Sequence, residues 1–214
     1  IIKLSLTNKS IEEEALPYIN EEKDVPDAKT AIAGAMDIIA EEVSDEAKYR
    51  ISIRNMTFKE GNIVSTAKDA ETSTVYDMYY NFISPLSKMT GYRTLAINRG
   101  EKEKILTVKI EAPTDKILAY LEKQVIKKDN PNTTPILREA ISDSYSRLIA
   151  PSIERELRSQ LTEEAENGAI TVFGKNLEQL LMQPPIAGKT VLGWDPAFRT
   201  GCKLAVVDST GKVL

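Results

Sequence analysis

Between Pro135 and Gly168 apolar side chains return with the period of a helix, and no other property of the chain limits its fold as much. Ile136, Ala140, Ile141, Tyr145 and Leu148 hold one face as far as Pro151, and Ile153, Leu157, Leu161 and Ala165 continue at four-residue spacing toward Asn167 and Gly168. A helical pair with one apolar side must be covered by other elements, which predicts a multi-helix scaffold. The opposite side is charged. Glu154 and Arg158 form an i,i+4 pair in the favourable order, and Arg155, Glu156, Glu163 and Glu164 complete a solvated surface. Glu154 and Glu156 lie about 200° apart on a helix, so they cannot converge on one substrate as paired acids.

Other segments can supply the cover. Ser10 and Glu13 fit a capping box for a short helix interrupted by Pro17. Ala28, Ala31, Ile32, Ala35, Met36, Ile39 and Val43 form one stripe over residues 27–43, and its small residues Ala31, Gly34 and Ala35 permit close approach of a neighbour. Ser44 and Asp45 can cap a helix over 46–60 that Gly61 ends. A further helix spans 90–99, ended by Gly100, and another contains Ile117, Leu118, Leu121 and Val125 before the turn cluster Asn130, Pro131, Asn132. A last helix, 176–182, stops at Pro184 and Pro185. The alternating segment ILTVKI, 105–110, reads as a strand whose partner is 63–66, a small ribbon. The predicted fold is therefore mainly α with a small β ribbon.

Composition narrows the chemistry. The 214 residues, 42% hydrophobic and 28% charged, are enough to bury a core. Without histidine the chain lacks the commonest general base and zinc ligand, and one cysteine, Cys202, cannot form an internal disulfide. Neither a hydrolytic triad, a metal site nor a cofactor is expected. No window has the roughly 18 apolar residues of a membrane span, and no signal segment opens the chain, so a cytoplasmic protein without a membrane partner is expected.

The net charge of −4 conceals a gradient. Twelve acids oppose six bases in residues 1–50, whereas Lys88, Arg93, Arg99, Lys102, Lys104 and Lys109 face only Glu101 and Glu103 in residues 86–110. These six cations are the candidate nucleic-acid contacts. Just before them, Tyr76, Tyr79, Tyr80 and Phe82 crowd four aromatics into seven residues. Such rings can stack on bases or pack a helix onto its neighbours.

The end of the chain, TVLGWDPAFRTGCKLAVVDSTGKVL, reads as two antiparallel strands and the start of a third. Strands this apolar need cover on at least one face. Asp195, at the end of the first, stands where a ribonuclease-H-like meander places a metal-binding acid, but a two-metal site needs several carboxylates and one is visible. The other role for Asp195 is to cap the turn with its side-chain oxygen. Arg199, in that turn, is either a surface residue or a phosphate contact. The chain reads as a piece of something longer.

Three blocks, YYNF with YRTLAINRGEKEK, then DSYSRLIAPSIERELR, then LGWDPAFRTGCK, occur in this order. In them the chain resembles the Tex family of bacterial transcription accessory proteins. The resemblance implies a helical central region, residues 1–188, leading at 189–214 into the first hairpin of a YqgF-type, ribonuclease-H-like α/β domain. In the family an N-terminal helix-turn-helix region precedes this part, and helix-hairpin-helix elements and an OB-fold RNA-binding domain follow it. The implied function is that of a non-catalytic scaffold in a nucleic-acid-binding transcription factor, with RNA or DNA and the transcription machinery as partners. Tex-type nuclease-like domains are generally not active nucleases. The family's usual Asp-Pro-Gly reads Asp195, Pro196, Ala197 here, which puts a Cβ where a glycine would ease the turn. Two alternatives stand beside this reading: a metal-dependent nuclease or resolvase using Asp195, and an acidic protein-interaction module that makes no nucleic-acid contact.

Overall fold

Pro151 does not end the long helix. In the computed structural model, which describes residues 2, 3, 5, 7–184 and 186–214, α6 (Thr134–Asp143) passes through a π-helical turn (Ser144–Ile149) directly into α7 (Ala150–Leu181). A proline inside a helix lacks an N–H and crowds the carbonyl four residues back. Here the turn before it is widened, with the Ala150 N–H donating to the Tyr145 carbonyl five residues back, and the helix continues past the proline. Gly168 does not stop it either, and the separate helix expected at 176–182 is the end of α7. The π turn is pinned to α2 (Ala28–Asp45). Ser144 Oγ, buried, donates to the Ala40 carbonyl at 2.7 Å, and Arg147 spans Asp37 at 2.9 Å and Asp143 at 2.6 Å. The hydrogen-bonding Arg147 guanidinium holds the Asp143 carboxyl below its usual value.

The remaining helices follow the predicted stripes with shifted ends. The short α1 (Ile11–Ala15) is capped by Ser10, whose Oγ accepts the Glu13 N–H, and it buries Ile11 and Ala15. Glu46, not Ser44 or Asp45, caps α3 (Ala47–Glu60); Ser44 belongs to α2 and donates to the Glu41 carbonyl. Between α5 (Thr114–Val125) and α6, the turn at Asn130 is buried rather than a surface loop. Asn130 Nδ2 donates to the carbonyls of Ser5 and Thr7, and Thr133 Oγ1 donates to Ser5 Oγ.

The predicted ribbon exists, in register from Ile63 opposite Ile110 to Thr66 opposite Thr107, but it is the middle and one edge of three strands. β1 (Asn62–Ala67) lies between β2 (Asn81–Pro85) and β3 (Leu106–Glu111), all antiparallel. The aromatic segment read as a helix instead makes a 3-10 turn, Asp77–Tyr79, and then β2. Part of the signal was present: Phe82 and Ile83 suit a strand, and Pro85 is tolerated at an edge strand. The sheet buries one face, through Ile63, Ser65, Leu106 and Val108, and on the other exposes Thr107 and Lys109 while the central Val64 is buried.

α4 (Gly91–Lys102) packs on that buried face and runs past the glycine expected to end it. A Cβ on Gly100 would lie 2.6 Å from Leu106 Cδ1 and 3.2 Å from Tyr76 Cδ1, so the glycine allows the helix to touch the strand. The helix is closed just beyond its cap by Lys104, which takes the left-handed conformation (φ 63°). Its N–H donates to the Glu101 carbonyl, and that of Ile105 to the Gly100 carbonyl, a Schellman closure made with a lysine where glycine is usual.

By its contacts the chain falls into two compact units, Ile1–Gly168 and Ala169–Leu214. In the second, β4 (Val191–Ala197) and β5 (Gly201–Val207) form the expected hairpin, and the start of a third strand survives as a bridge from Val207 to Val213. In this unit Leu192, Trp194 and Leu204 are exposed. Ala197 keeps a negative φ as the last residue of β4, and the positive φ needed by the turn falls on Gly201 (77°).

We expect Gly100→Ala to destabilise the protein by about 1–3 kcal/mol through overpacking against the fully buried Leu106, and Lys104→Gly to stabilise it by up to about 1 kcal/mol by removing left-handed strain. Urea unfolding of both variants checks the pair. A stabilising Gly100→Ala would contradict the packing account.

Candidate nucleic-acid interface

The aromatic cluster packs rather than presents its rings. Tyr76 and Tyr79 are each 5% exposed, and Tyr80 Oη donates to the Thr72 carbonyl at 2.6 Å and lies within hydrogen-bond distance, 2.9 Å, of the Thr74 hydroxyl. Phe82, half-buried, meets Tyr79 edge-on at 5.4 Å. The loop before these rings is tied by Asp77, which accepts from the Ser73 hydroxyl and the Thr74 N–H, and these donors hold its carboxyl below the usual value.

The exposed aromatic at this place is one that sequence reasoning passed over. Tyr92, in the first turn of α4, is 65% exposed. The Arg93 guanidinium carbon lies 5.6 Å from the Tyr92 ring centre and 5.8 Å from that of Phe82. Two rings thus share one cation, an arrangement that fixes the guanidinium while leaving its N–H edges available. Its separation from the cluster, ten residues beyond Phe82, hid Tyr92; the adjacent YR pair was the available signal.

Around α4 the structure collects five of the six predicted cations. Lys88 ends the 3-10 turn Leu86–Lys88, Arg93 and Arg99 lie along the helix, Lys102 is its last residue and Lys104 follows its cap. Lys88, Arg99, Lys102 and Lys104 are exposed. Among the described residues none of the five is in an ion pair. The acids of the segment are otherwise engaged. Glu101 accepts from Arg158 of α7, and Glu103 faces the Tyr76 hydroxyl, whose burial, with help from that carboxylate, pushes it up. Lys109 does not join them. It stands on the opposite, exposed face of the sheet, and its Nζ pairs with Glu111 at 3.0 Å.

The charged side of α7 is less of a free surface than its sequence suggests. Glu154 accepts the backbone N–H of Ile110 at 3.0 Å, Arg54 bonds Glu156 and Gln160, and Arg50 donates to Ser152. The i,i+4 pair expected between Glu154 and Arg158 is replaced by these contacts to β3 and α4.

Asp195 and Arg199 belong to the second unit. Asp195 is exposed on β4 opposite Lys203. Among the described residues no group of three histidine, cysteine or acidic side chains is placed to hold a metal ion. The carboxylate that orders a turn in this unit is Asp208, which accepts from the Thr210 hydroxyl and from the Thr210 and Lys212 N–H groups and is thereby held below its usual value. Arg199 is exposed in the β4–β5 turn.

The fold and the cation cluster define a helical scaffold around a small antiparallel sheet, followed by an apolar hairpin. Residues 7–173 match the family described as "Tex central region-like" and residues 189–214 match "Tex protein YqgF-like domain". The chain belongs to the Tex family. It is 56% identical over 200 residues to "Uncharacterized protein YdcI" of Bacillus subtilis (strain 168), covering 92% of this chain and 28% of that protein. It is 34% identical over 216 residues to "Protein tex" of Bordetella pertussis, covering 94% and 27%. "S1 RNA-binding domain-containing protein 1" of Homo sapiens is 36% identical over 143 residues, 64% of this chain and 14% of that protein. The chain thus spans less than a third of the length of these relatives.

Arg93→Ala should lower stability by about 1 kcal/mol, since it removes two cation–ring contacts, whereas Arg99→Ala should change it by no more than about 0.5 kcal/mol. Equal losses in urea unfolding would mean that the rings do not hold Arg93.

Proposed function

We propose that this chain is a non-catalytic scaffold segment of a nucleic-acid-binding transcription accessory protein, and that the cations around α4 supply its contact with phosphate. The observation that carries this is the set Lys88, Arg93, Arg99, Lys102 and Lys104, carried by α4 and the residues that flank it and without ion pairs among the described residues. Membership of a family of transcription accessory proteins supports it, as does the RNA-binding domain named in a relative. Lys109, paired with Glu111, contributes less. Arg199 is a second, separate contact on the YqgF-like portion, which we take to begin at residue 189. The transcription machinery is the proposed protein partner. No described helix is long and apolar enough to cross a membrane, and we place the protein in the cytoplasm.

Binding by phosphate neutralisation alone is weak and salt-dependent, so the dissociation constant should be no tighter than roughly micromolar at physiological salt. The acidic first fifty residues repel the same polyanion. Titration at two salt concentrations should show affinity falling with salt, and Arg93→Glu with Arg99→Glu should remove most of it. Tight, salt-insensitive binding unaffected by the double change would put the interface on another surface.

Asp195 is proposed to have no catalytic role, because a two-metal clamp requires several converging carboxylates. Incubation with RNA, DNA or junction substrates in magnesium or manganese should give no cleavage. Turnover that disappears in Asp195→Asn would overturn this.

A further inference from the structure

The feature of the α4 surface that phosphate binding does not use is its one exposed ring. Tyr92 is 65% exposed, and its hydroxyl makes no hydrogen bond among the described residues, so neither core packing nor a polar anchor accounts for a large aromatic here. Yet the ring is not free to collapse onto the surface. Arg93 sits over it, and Arg93 is in turn held by the half-buried Phe82.

A flat, supported ring beside unpaired cations suits one ligand chemistry: a nucleobase stacks on the ring while phosphate meets the cations. Arg99 follows Tyr92 by seven residues, which returns it to the same side of the helix about 10 Å along the axis. Arg99 is exposed and, among the described residues, has no carboxylate partner. Of the nearest acids by sequence, Glu101 is engaged by Arg158, and Glu103 acts on the Tyr76 hydroxyl, which Arg99 also neighbours without forming an ion pair among the described residues. A base inside a duplex has both faces covered by its neighbours, so the platform can serve only unpaired bases.

We propose that Tyr92, backed by Arg93 and Phe82, is a stacking platform for an unpaired base of single-stranded nucleic acid, with Arg99 taking a phosphate of the same strand. The assignment rests on the phosphate-binding role given to α4 above. It adds a preference for single strands that cations alone do not produce.

The test is fluorescence anisotropy with the intact chain and one short mixed sequence, offered as single-stranded RNA, as single-stranded DNA and as the DNA duplex. Tyr92→Leu removes the flat ring at an exposed position, and Tyr92→Phe keeps it. Tyr92→Leu should weaken single-strand binding roughly fivefold or more while leaving the duplex within about twofold, and Tyr92→Phe should match the parent. Loss on RNA alone or DNA alone identifies the strand, and either supports the platform. If the parent binds nucleic acid but Tyr92→Leu changes nothing, or weakens single strand and duplex alike, the platform is wrong and the phosphate reading survives. If the parent binds none of the three, both fall.

Discussion

The register of α7 against its neighbours is the constraint on which the first unit depends. An apolar stripe such as Ile153, Leu157, Leu161 and Ala165 supplies the burial energy, but apolar contact is non-directional and tolerates sliding along the helix. Polar contacts do not. Successive turns of α7 are fixed by Arg50 at Ser152, the Ile110 N–H at Glu154, Arg54 at Glu156 and Gln160, Glu101 at Arg158 and Asn98 at Thr162. Gly91 closes the series, since a Cβ there would come within 3.3 Å of Ala165 Cα. Exposed ion pairs of this kind contribute little individually. Their effect is to specify a single alignment of α3, β3 and α4 on one helix.

Much of this architecture was legible because its signals are local and periodic. The stripes of α2, α5 and α7 and the pairing of β1 with β3 could be read from spacing alone. What was missed depended on contacts distant in sequence. Gly100 reads as a helix stop until Leu106 and Tyr76 are known to press on it, and Lys104, with no glycine signature, closes the helix instead. β2 was hidden by aromatic residues that suit helix packing as well as a strand. Asn130 reads as surface turn chemistry, and only the return of the N-terminal segment to it makes it a buried anchor.

The candidate interface was partly legible for a similar reason. Charge counts along the chain located the cations; α4 carries three of them, with Lys88 before it and Lys104 after it. Counting could not separate Lys109, which strand alternation turns to the other face of the sheet, where it meets Glu111. Nor could density of aromatics identify the open ring. A cluster of aromatics is a good sign of burial, and an isolated tyrosine in the first turn of a helix, next to an arginine, is the better sign of a surface one. In the terminal hairpin Ala197 meets no left-handed strain, because the left-handed residue of the turn is Gly201 and Ala197 still belongs to the strand.

The π turn at Ser144–Ile149 sets the rotational phase of the long helix. It is wider than an α turn by one residue, so the faces of α6 and α7 are offset by about 100° from where an uninterrupted α-helix would place them. Upstream of it, Leu137, Ala140 and Ile141 are buried, and downstream Ile153 and Leu157 are. A single residue removed from this turn would restore regular geometry and, in doing so, point one of these two sets away from its partners. The irregularity is therefore a length standard: the count of residues between the two stripes, more than their identity, decides whether both halves of the helix can be buried at once.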